Sequence, residues 1–508
     1  MLARLFLALR PRSYSYITVL RSLWIFLLFI SEFLVFRLAP SNCAWPVSSN
    51  PPSSSPFKVL VITDPQILTY ESYPGRPSLL MWLTLEITDA FARKSFKSIM
   101  KHHQPDALIF LGDLLDTGVE TTDPRDYELF VERFRNIFAY PSYSNHPLPT
   151  IFIPGNHDRG LSSSIQNSVP LSRTDFLERR FARSFGPING QKVLGNHEFV
   201  WFDSQKLVEE VSNKAVDPQY DGGRRSVISF LEKVSNQPES KPRILLSHIP
   251  LWRPHLASCG SLREQKNIIF HRAGKNYQNL LDKKTSEDVV HAVDPILILS
   301  GDDHDYCDVY HNYMPHEKTS TTRISKPSAA VREITVKAFS MAMGIRRPGY
   351  LLLTLHNSTS SMNDNIQNDA DKDLQDEVVD VLVDEEGVST EHKLSIKRAP
   401  TLETRSCILP DQARIYLHIY LPFFIFTILC VIFFTIRQEE KTSLNSSKTK
   451  IKDDDYHDDD MKNDSGWDIN VNSRKWRFLT SLWSVSWVVL IAFFIIHVVF
   501  VWDTNYMF

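Results

Sequence analysis

The chain has 508 residues, more than one average domain, with 56 lysines and arginines against 59 aspartates and glutamates. A net charge of −3 leaves no basic footprint, which removes nucleic acid from the expected partners. What remains is a chain in which apolar runs alternate with polar clusters.

The first apolar run covers residues 23–39, behind Arg4, Arg10, Arg12 and Arg21 and with only Arg37 near its far end. Its long amino-terminal flank, with no small-x-small site before Cys43, reads as an uncleaved anchor and not a secretory leader. The arginine bias places residues 1–22 in the cytosol and the following body in the lumen. Glu32 is costly at a bilayer centre, so the span is expected to hold that carboxylate toward one interface. Residues 40–56 are rich in Pro and Ser and read as a linker.

Residues 57–356 form the body. Five short apolar runs in it each end on a polar cluster. Residues 58–63 lead into Asp64-Pro65-Gln66, 107–111 into Gly112-Asp113, and 150–154 into Gly155-Asn156-His157-Asp158. Residues 243–246 lead into Ser247-His248, and 295–299 into Gly301-Asp302-Asp303-His304-Asp305. Taken singly, each is an ordinary strand-to-loop turn. In series they describe neighbouring strands whose carboxyl ends converge on one crevice, with the buried strand bodies holding the loops rigidly. Aspartate, asparagine, glutamine and histidine at such tips have the donor atoms that a pair of divalent cations needs, including one shared carboxylate, for which Asp113 is the candidate.

Helical periodicity over about 79–103 and 127–138, each after a strand, gives the strand–helix alternation of an α/β layered fold. Further strands are expected at about 197–203, 333–341 and 350–355. Residues 251–293 interrupt the alternation just after His248 and read as an insertion near the mouth of the site. Residues 357–412 read as an acidic, flexible insertion and juxtamembrane segment. Apolar runs at 413–436 and 478–502 make a second and third span, leaving 437–477 as a cytosolic acidic loop and 503–508 as a lumenal tail. Lys441, Lys448, Lys450, Lys452, Arg474, Lys475 and Arg477 agree with a cytosolic loop, and its aspartate runs read as solvated linker.

Of the five cysteines, Cys430 lies in a span, and Cys43, Cys259, Cys307 and Cys407 fall in the lumenal part. An oxidising compartment permits disulfides there, and four cysteines allow three full pairings among which the sequence does not choose. Asn357-Ser358-Thr359 is a glycosylation acceptor on the lumenal side. Trp201, Trp252 and Tyr220 are better read as core than as sugar-stacking platforms, and His255, His271, His291 and His311 lack a ligand context.

The ordered blocks resemble the calcineurin-like metallophosphoesterase superfamily over roughly residues 58–310. The resemblance implies a four-layer β-sandwich flanked by helices, here with three transmembrane helices added. It also implies Asp64, Gln66, Asp113 and His304 on one metal and Asp113, Asn156, His248 and Asp302 on the other, with Asp303 as an alternative to Asp302. His157 then faces the substrate as general acid, oriented by Asp158. Gln66 and Asp302 stand where the superfamily usually has histidine, and two extra oxygen donors favour harder ions, manganese or magnesium, with Mn2+ the leading expectation.

These variations, the block Gly301 to Cys307 and the run from Val336 to Tyr350 resemble one branch. Its members are membrane-anchored enzymes that remove a side-branch ethanolamine phosphate from mannose of glycosylphosphatidylinositol (GPI) anchors. The resemblance implies GPI-anchored protein glycans and the bilayer as partners, and an endoplasmic reticulum or Golgi membrane as the home. Arg346 and Arg347 are candidate ligands for a phosphodiester oxygen. Two rival readings are a lumenal phosphoesterase on another lipid or nucleotide, and a non-enzymatic manganese-binding membrane protein.

Overall fold

The computed structural model describes residues 16–47, 55–140, 147–161, 171–219, 226–238, 241–274, 276–312, 330–356, 381–383, 389–391, 402–453 and 468–502. The chain divides into two compact units, one of residues 39–410 and one of residues 1–38 with 411–508.

In chain order the strands of the larger unit are β1 (Phe57–Ile62), β2 (Ala107–Leu111), β3 (Thr150–Ile153), β4 (Gly190–Leu194) and β5 (His197–Trp201). Then come β6 (Arg243–Leu246), β7 (Ala273–Gly274), β8 (Tyr277–Gln278), β9 (Leu297–Ser300) and β10 (Cys307–His311). The last are β11 (Val331–Thr335), β12 (Gly349–Leu355), β13 (Val381–Val383), β14 (Ser389–Glu391) and β15 (Leu402–Ile408). One sheet runs β15-β12-β1-β2-β3 and a second β10-β11-β9-β6-β5-β4, while β7-β8 and β13-β14 are small antiparallel pairs. Each large sheet has a parallel centre, β1-β2-β3 or β11-β9-β6-β5, with antiparallel strands completing it.

The near-continuous apolar strands follow from burial on both faces. Ile244, Leu246, Leu297 and Leu299 point between the sheets, where they meet Val59, Val61, Ile109 and Ile151. The intervening Leu245 and Ile298 point the other way, onto helix residues such as Leu231, Val289 and Val293. On the outer side of the first sheet, Phe110 stacks on Phe152 at 5.0 Å and meets Phe134 of the helix Pro124–Ile137 edge-on at 5.4 Å. Helix, sheet, sheet and helix make the four layers expected.

The helix expected at 79–103 spans Ser78–His103. The strand expected at 333–341 ends at Thr335, because the chain from Val336 turns into the loop beside the strand tips. A larger difference lies at 357–412. Residues 402–408 are an edge strand in register with β12, Leu353 opposite Thr404, so the sheet takes up part of the segment read as juxtamembrane, for which no strand was expected. Its sequence Leu-Glu-Thr-Arg-Ser-Cys-Ile carries few apolar residues because only one neighbour and one face need them. The four candidate cysteines pair as Cys43–Cys407 and Cys259–Cys307.

Among its described residues the smaller unit contains three helices long and apolar enough to cross a membrane, Tyr16–Leu38, Gln412–Gln438 and Lys475–Ile496. The first starts before the expected residue 23, because 16–22 continue its apolar pattern and Arg21 donates to Ser484 O at 2.8 Å. The second continues as helix to Asp453, into the segment expected as loop. Glu32 is fully buried and accepts from Gln412 Nε2 at 3.1 Å and Tyr420 Oη at 2.8 Å. Two π-helical turns, Phe29–Leu34 and Ile415–Tyr420, hold Glu32 and Tyr420, so the cost of burying a carboxylate among apolar helices is met by side-chain partners.

Candidate metal centre

Register sets the site. Ile62 pairs with Phe110 and Leu111 with Ile153, so β1, β2 and β3 end together; Leu246 pairs with Leu299, so β6 and β9 do likewise. Asp64, Asp113, Asn156, His248 and Asp302 all lie within three residues of those ends. Five of the seven candidate ligands, Asp64, Gln66, Asp113, Asp302 and His304, have left-handed backbone, φ between 36° and 66°. Each such residue costs about 1–3 kcal/mol and persists only where its surroundings enforce it. Here the enforcers are backbone bonds such as Gln66 N to Asp113 O, 2.9 Å, and Ala338 N to His304 O, 2.9 Å.

Two glycines are required by the closeness of these loops. A Cβ on Gly155 would lie 2.0 Å from Asp113 Oδ1, and one on Gly112 2.3 Å from His248 Nδ1.

Asp64, Asp113 and His304 bring ligand atoms within 4.8 Å of one another. Asp113 is central: His157 N donates to its Oδ1 at 2.9 Å, Gln66 Nε2 donates to its Oδ2 at 2.8 Å, and His248 Nε2 stands 3.4 Å from Oδ1. His248 Nε2 is also 3.2 Å from Asn156 Oδ1 and 3.5 Å from Asp302 Oδ1. Its Nδ1–H donates to Leu111 O at 2.7 Å, which fixes the tautomer and leaves Nε2 facing the cluster. Gln66 turns its amide nitrogen toward Asp113 and His304 Nε2, the latter at 3.3 Å, so service as an oxygen ligand requires its amide to turn over.

The residues fit divalent cations on two counts. Asp64 Oδ1 is buried with no hydrogen-bond partner among the described residues. Burial, with the charges of Asp113 and Asp302 adding to it against His248, holds the Asp64 carboxyl well above its usual range. Asp113 goes the other way: burial would raise it, but His248 and His157 outweigh burial and hold it low. Burial depresses His304. Crowded, desolvated carboxylates with unused oxygens are what bound cations satisfy.

His157 differs from the expectation in one respect. Its ring Nδ1–H donates to Asp116 O at 2.6 Å, and Asp116 Oδ1 is 3.8 Å away. Asp158, expected to orient that ring, instead accepts from Leu114 N, Leu115 N and Gly155 N, each at 3.0 Å, and ties the β2 loop to the β3 loop. The orienting residue is Asp116. Its position three residues beyond Asp113 was the available signal, obscured because Asp158 is adjacent to His157 in sequence. Burial would lower His157, but Asp113 and Asp116 outweigh it and push the imidazole up to about 9. Asp158 is raised to about 7 by burial and Asp113, against its backbone donors.

Asp303 is ion-paired to Arg263, whereas of the two carboxylates it is Asp302 that lies against His248 Nε2, with Oδ1 at 3.5 Å. Arg346 and Arg347 are 79% and 49% exposed, and both pair with Glu264. Glu264 also accepts from Lys337 Nζ at 3.1 Å. Neither guanidinium is in the buried cluster, but their loop begins there, with Ser340 N donating to Asp64 O at 3.4 Å. Trp201 is core, and Trp252 lies against Lys283 and His271. Tyr220 and Asn357 lie outside the described residues.

Residues 57–306 match the calcineurin-like phosphoesterase family. Cell division control protein 1 of Saccharomyces cerevisiae is 32% identical over 348 residues, 68% of this chain and 65% of that protein, so the chain spans just under two thirds of it. Metallophosphoesterase 1 homolog of Caenorhabditis elegans is 27% identical over 284 residues, 56% of this chain and 69% of that protein. Metallophosphoesterase 1 of Xenopus laevis is 27% identical over 362 residues, 66% of this chain and 84% of that protein. With its paired mixed sheets and its largely buried group of Asp64, Asp113 and His304 at the strand ends, the part of the chain from residue 57 to residue 306 is a calcineurin-like phosphoesterase domain.

Proposed function

We propose that the chain is a lumenal two-metal phosphodiesterase that releases a side-branch ethanolamine phosphate from mannose of GPI anchors. The observation that carries the hydrolase reading is the convergence of Asp64, Asp113, Asn156, His248, Asp302 and His304 in one buried cluster beside an accessible His157. Asp64, Asp113 and His304, with Gln66 turned over, would hold one ion, and Asp113, Asn156, His248 and Asp302 the other. Two divalent cations there supply positive charge for the phosphoryl oxygens and an activated water, and the oxygen-rich set favours Mn2+.

The chain's own residues do the rest. A sugar alkoxide is a poor leaving group near neutral pH, so the mannose oxygen needs a proton as its bond to phosphorus breaks. His157 would give it, a role supported by Asp116 O holding the ring and by the neighbouring carboxylates, which outweigh burial and favour the protonated form. Cations offsetting the Asp113 charge would bring that value back toward the working range of an acid catalyst. A metal store would have no use for a tethered proton donor, which disfavours the non-enzymatic reading.

The substrate rests on the branch resemblance. Arg346 and Arg347, exposed in a loop whose Ser340 N donates to Asp64 O, would meet an anionic phosphodiester arriving from solvent. Two disulfides in the larger unit favour an oxidising compartment, and apolar helices at both of its ends would tether it to a bilayer, an endoplasmic reticulum or Golgi membrane. The test incubates purified full-length protein with Mn2+ and GPI glycans and follows them by mass spectrometry. Loss of one ethanolamine phosphate supports the reading; glycans left intact by an enzyme active on other phosphodiesters would refute the substrate.

A further inference from the structure

We propose that Asn276, in the inserted segment after His248, is a positioning residue for the metal centre: it fixes the Asn156 amide so that oxygen, not nitrogen, faces the ion. The inference rests on the two-metal reading above, in which Asn156 is a ligand. A carboxamide has a lone-pair end and an N–H end, and only the first binds a cation. Asn156 Nδ2 donates to Asn276 O at 2.9 Å, which commits the nitrogen and leaves Oδ1 on the His248 side, 3.2 Å from Nε2.

The carbonyl that does this is itself held in place. Asn276 lies between β7 and β8 with φ 63°, left-handed backbone that asparagine tolerates better than other residues with a side chain. Its Oδ1 accepts from Leu161 N at 2.7 Å, just beyond the Asn156 turn, and its Nδ2 donates to Asn156 O at 3.4 Å. Side chain and main chain of the two asparagines therefore clasp each other across 120 positions of sequence. The insertion is then part of the centre's own support, and the ion on Asp113, Asn156, His248 and Asp302 depends on it while the ion on Asp64, Gln66, Asp113 and His304 does not.

The test is Mn2+ titration of full-length protein in detergent, read as ions bound per chain and their separate affinities, with thermal melting in parallel. Losing an orienting partner weakens a metal site by about 10–100-fold. Asn276→Ala, which loses the clasp and strains the turn, should weaken one ion by that factor and leave the other unchanged. Asn276→Asp, which keeps an acceptor for Leu161 N and tolerates the left-handed turn, should stay within a few-fold of the parent. Asn156→Asp presents oxygen at both ends, so on that background Asn276→Ala should have no effect on ion affinity. This comparison separates orientation from general loosening, which would cost both backgrounds alike. Two ions held by Asn276→Ala at parental affinities would overturn the proposal, as would equal weakening of both ions or the same loss on the Asn156→Asp background. A parent chain holding fewer than two ions would overturn the two-metal reading itself, a result distinct from any of these.

Discussion

Gly155→Ala probes the centre with a single methyl group. The glycine has φ −106°, which any residue adopts, so alanine is refused for space alone. The added carbon would stand 2.0 Å from Asp113 Oδ1 and 2.4 Å from Asp113 N, where real contacts are essentially never under 3.0 Å. Either the Asp113 side chain or the β3 loop must give way by about 1 Å. Overpacking of this kind costs about 1–3 kcal/mol of stability, a loss a folded domain survives. A displacement of about 1 Å at a reacting centre costs about 10²-fold in rate. The purified variant should therefore melt somewhat lower, bind fewer than two metal ions by elemental analysis, and turn over a phosphodiester at least about a hundredfold more slowly. A variant with two ions and parental turnover would show that Asp113 is not the shared ligand.

Asp113→Ala should lose both metal and turnover, whereas His157→Ala should keep its metal and lose about 10²–10⁴-fold in turnover; parallel metal analysis and kinetics check the pair. Glu333 is fully buried and paired to Arg253 at 2.9 Å and His311 at 2.6 Å. Burial would raise its carboxyl, but Arg253 and His311 outweigh burial and lower it from 4.5 to about 2. A depressed acid stabilises the fold above its unfolded value and loses that contribution as pH falls through the folded one. Glu333→Gln should cost about 3 kcal/mol at pH 7, with a difference that narrows below pH 4.5, measured by urea unfolding followed by tryptophan fluorescence. Equal differences at pH 7 and pH 3 would refute this. Glycosylation of Asn357 but not of Asn445, read by endoglycosidase mobility shifts, is expected for a lumenal body; modification at Asn445 would invert the topology.

The strand tips were legible because both faces of the central strands are buried, which makes Leu-Ile-Leu and Leu-Ile-Phe runs stand out against the polar residues that follow. Less legible were features that depend on distance between loops. Asp158 looked like the partner of His157 by adjacency, yet a helical turn sends neighbouring side chains in different directions, and Asp116 reaches the ring from another loop. Asn276 and Glu264 sit in an insertion with no periodic signal, and their importance comes from what they touch 120 and 82 residues away. β15 was missed because an edge strand has little apolar content to betray it. Disulfide pairing needed the fold: only after β15 joins β12 does Cys407 reach Cys43.

The bridge between Cys43 and Cys407 spans 364 positions, nearly the whole larger unit. Cys43 comes shortly after the first apolar helix and Cys407 shortly before the second, so tension pulling those helices apart would run through sulfur and bypass the sheets. A protease nicking any loop in between would leave both fragments on one covalent thread. With those helices seated in a bilayer, as proposed, a lipid sheet that shears or thins around them would therefore strain the tether before it disturbed the strand ends.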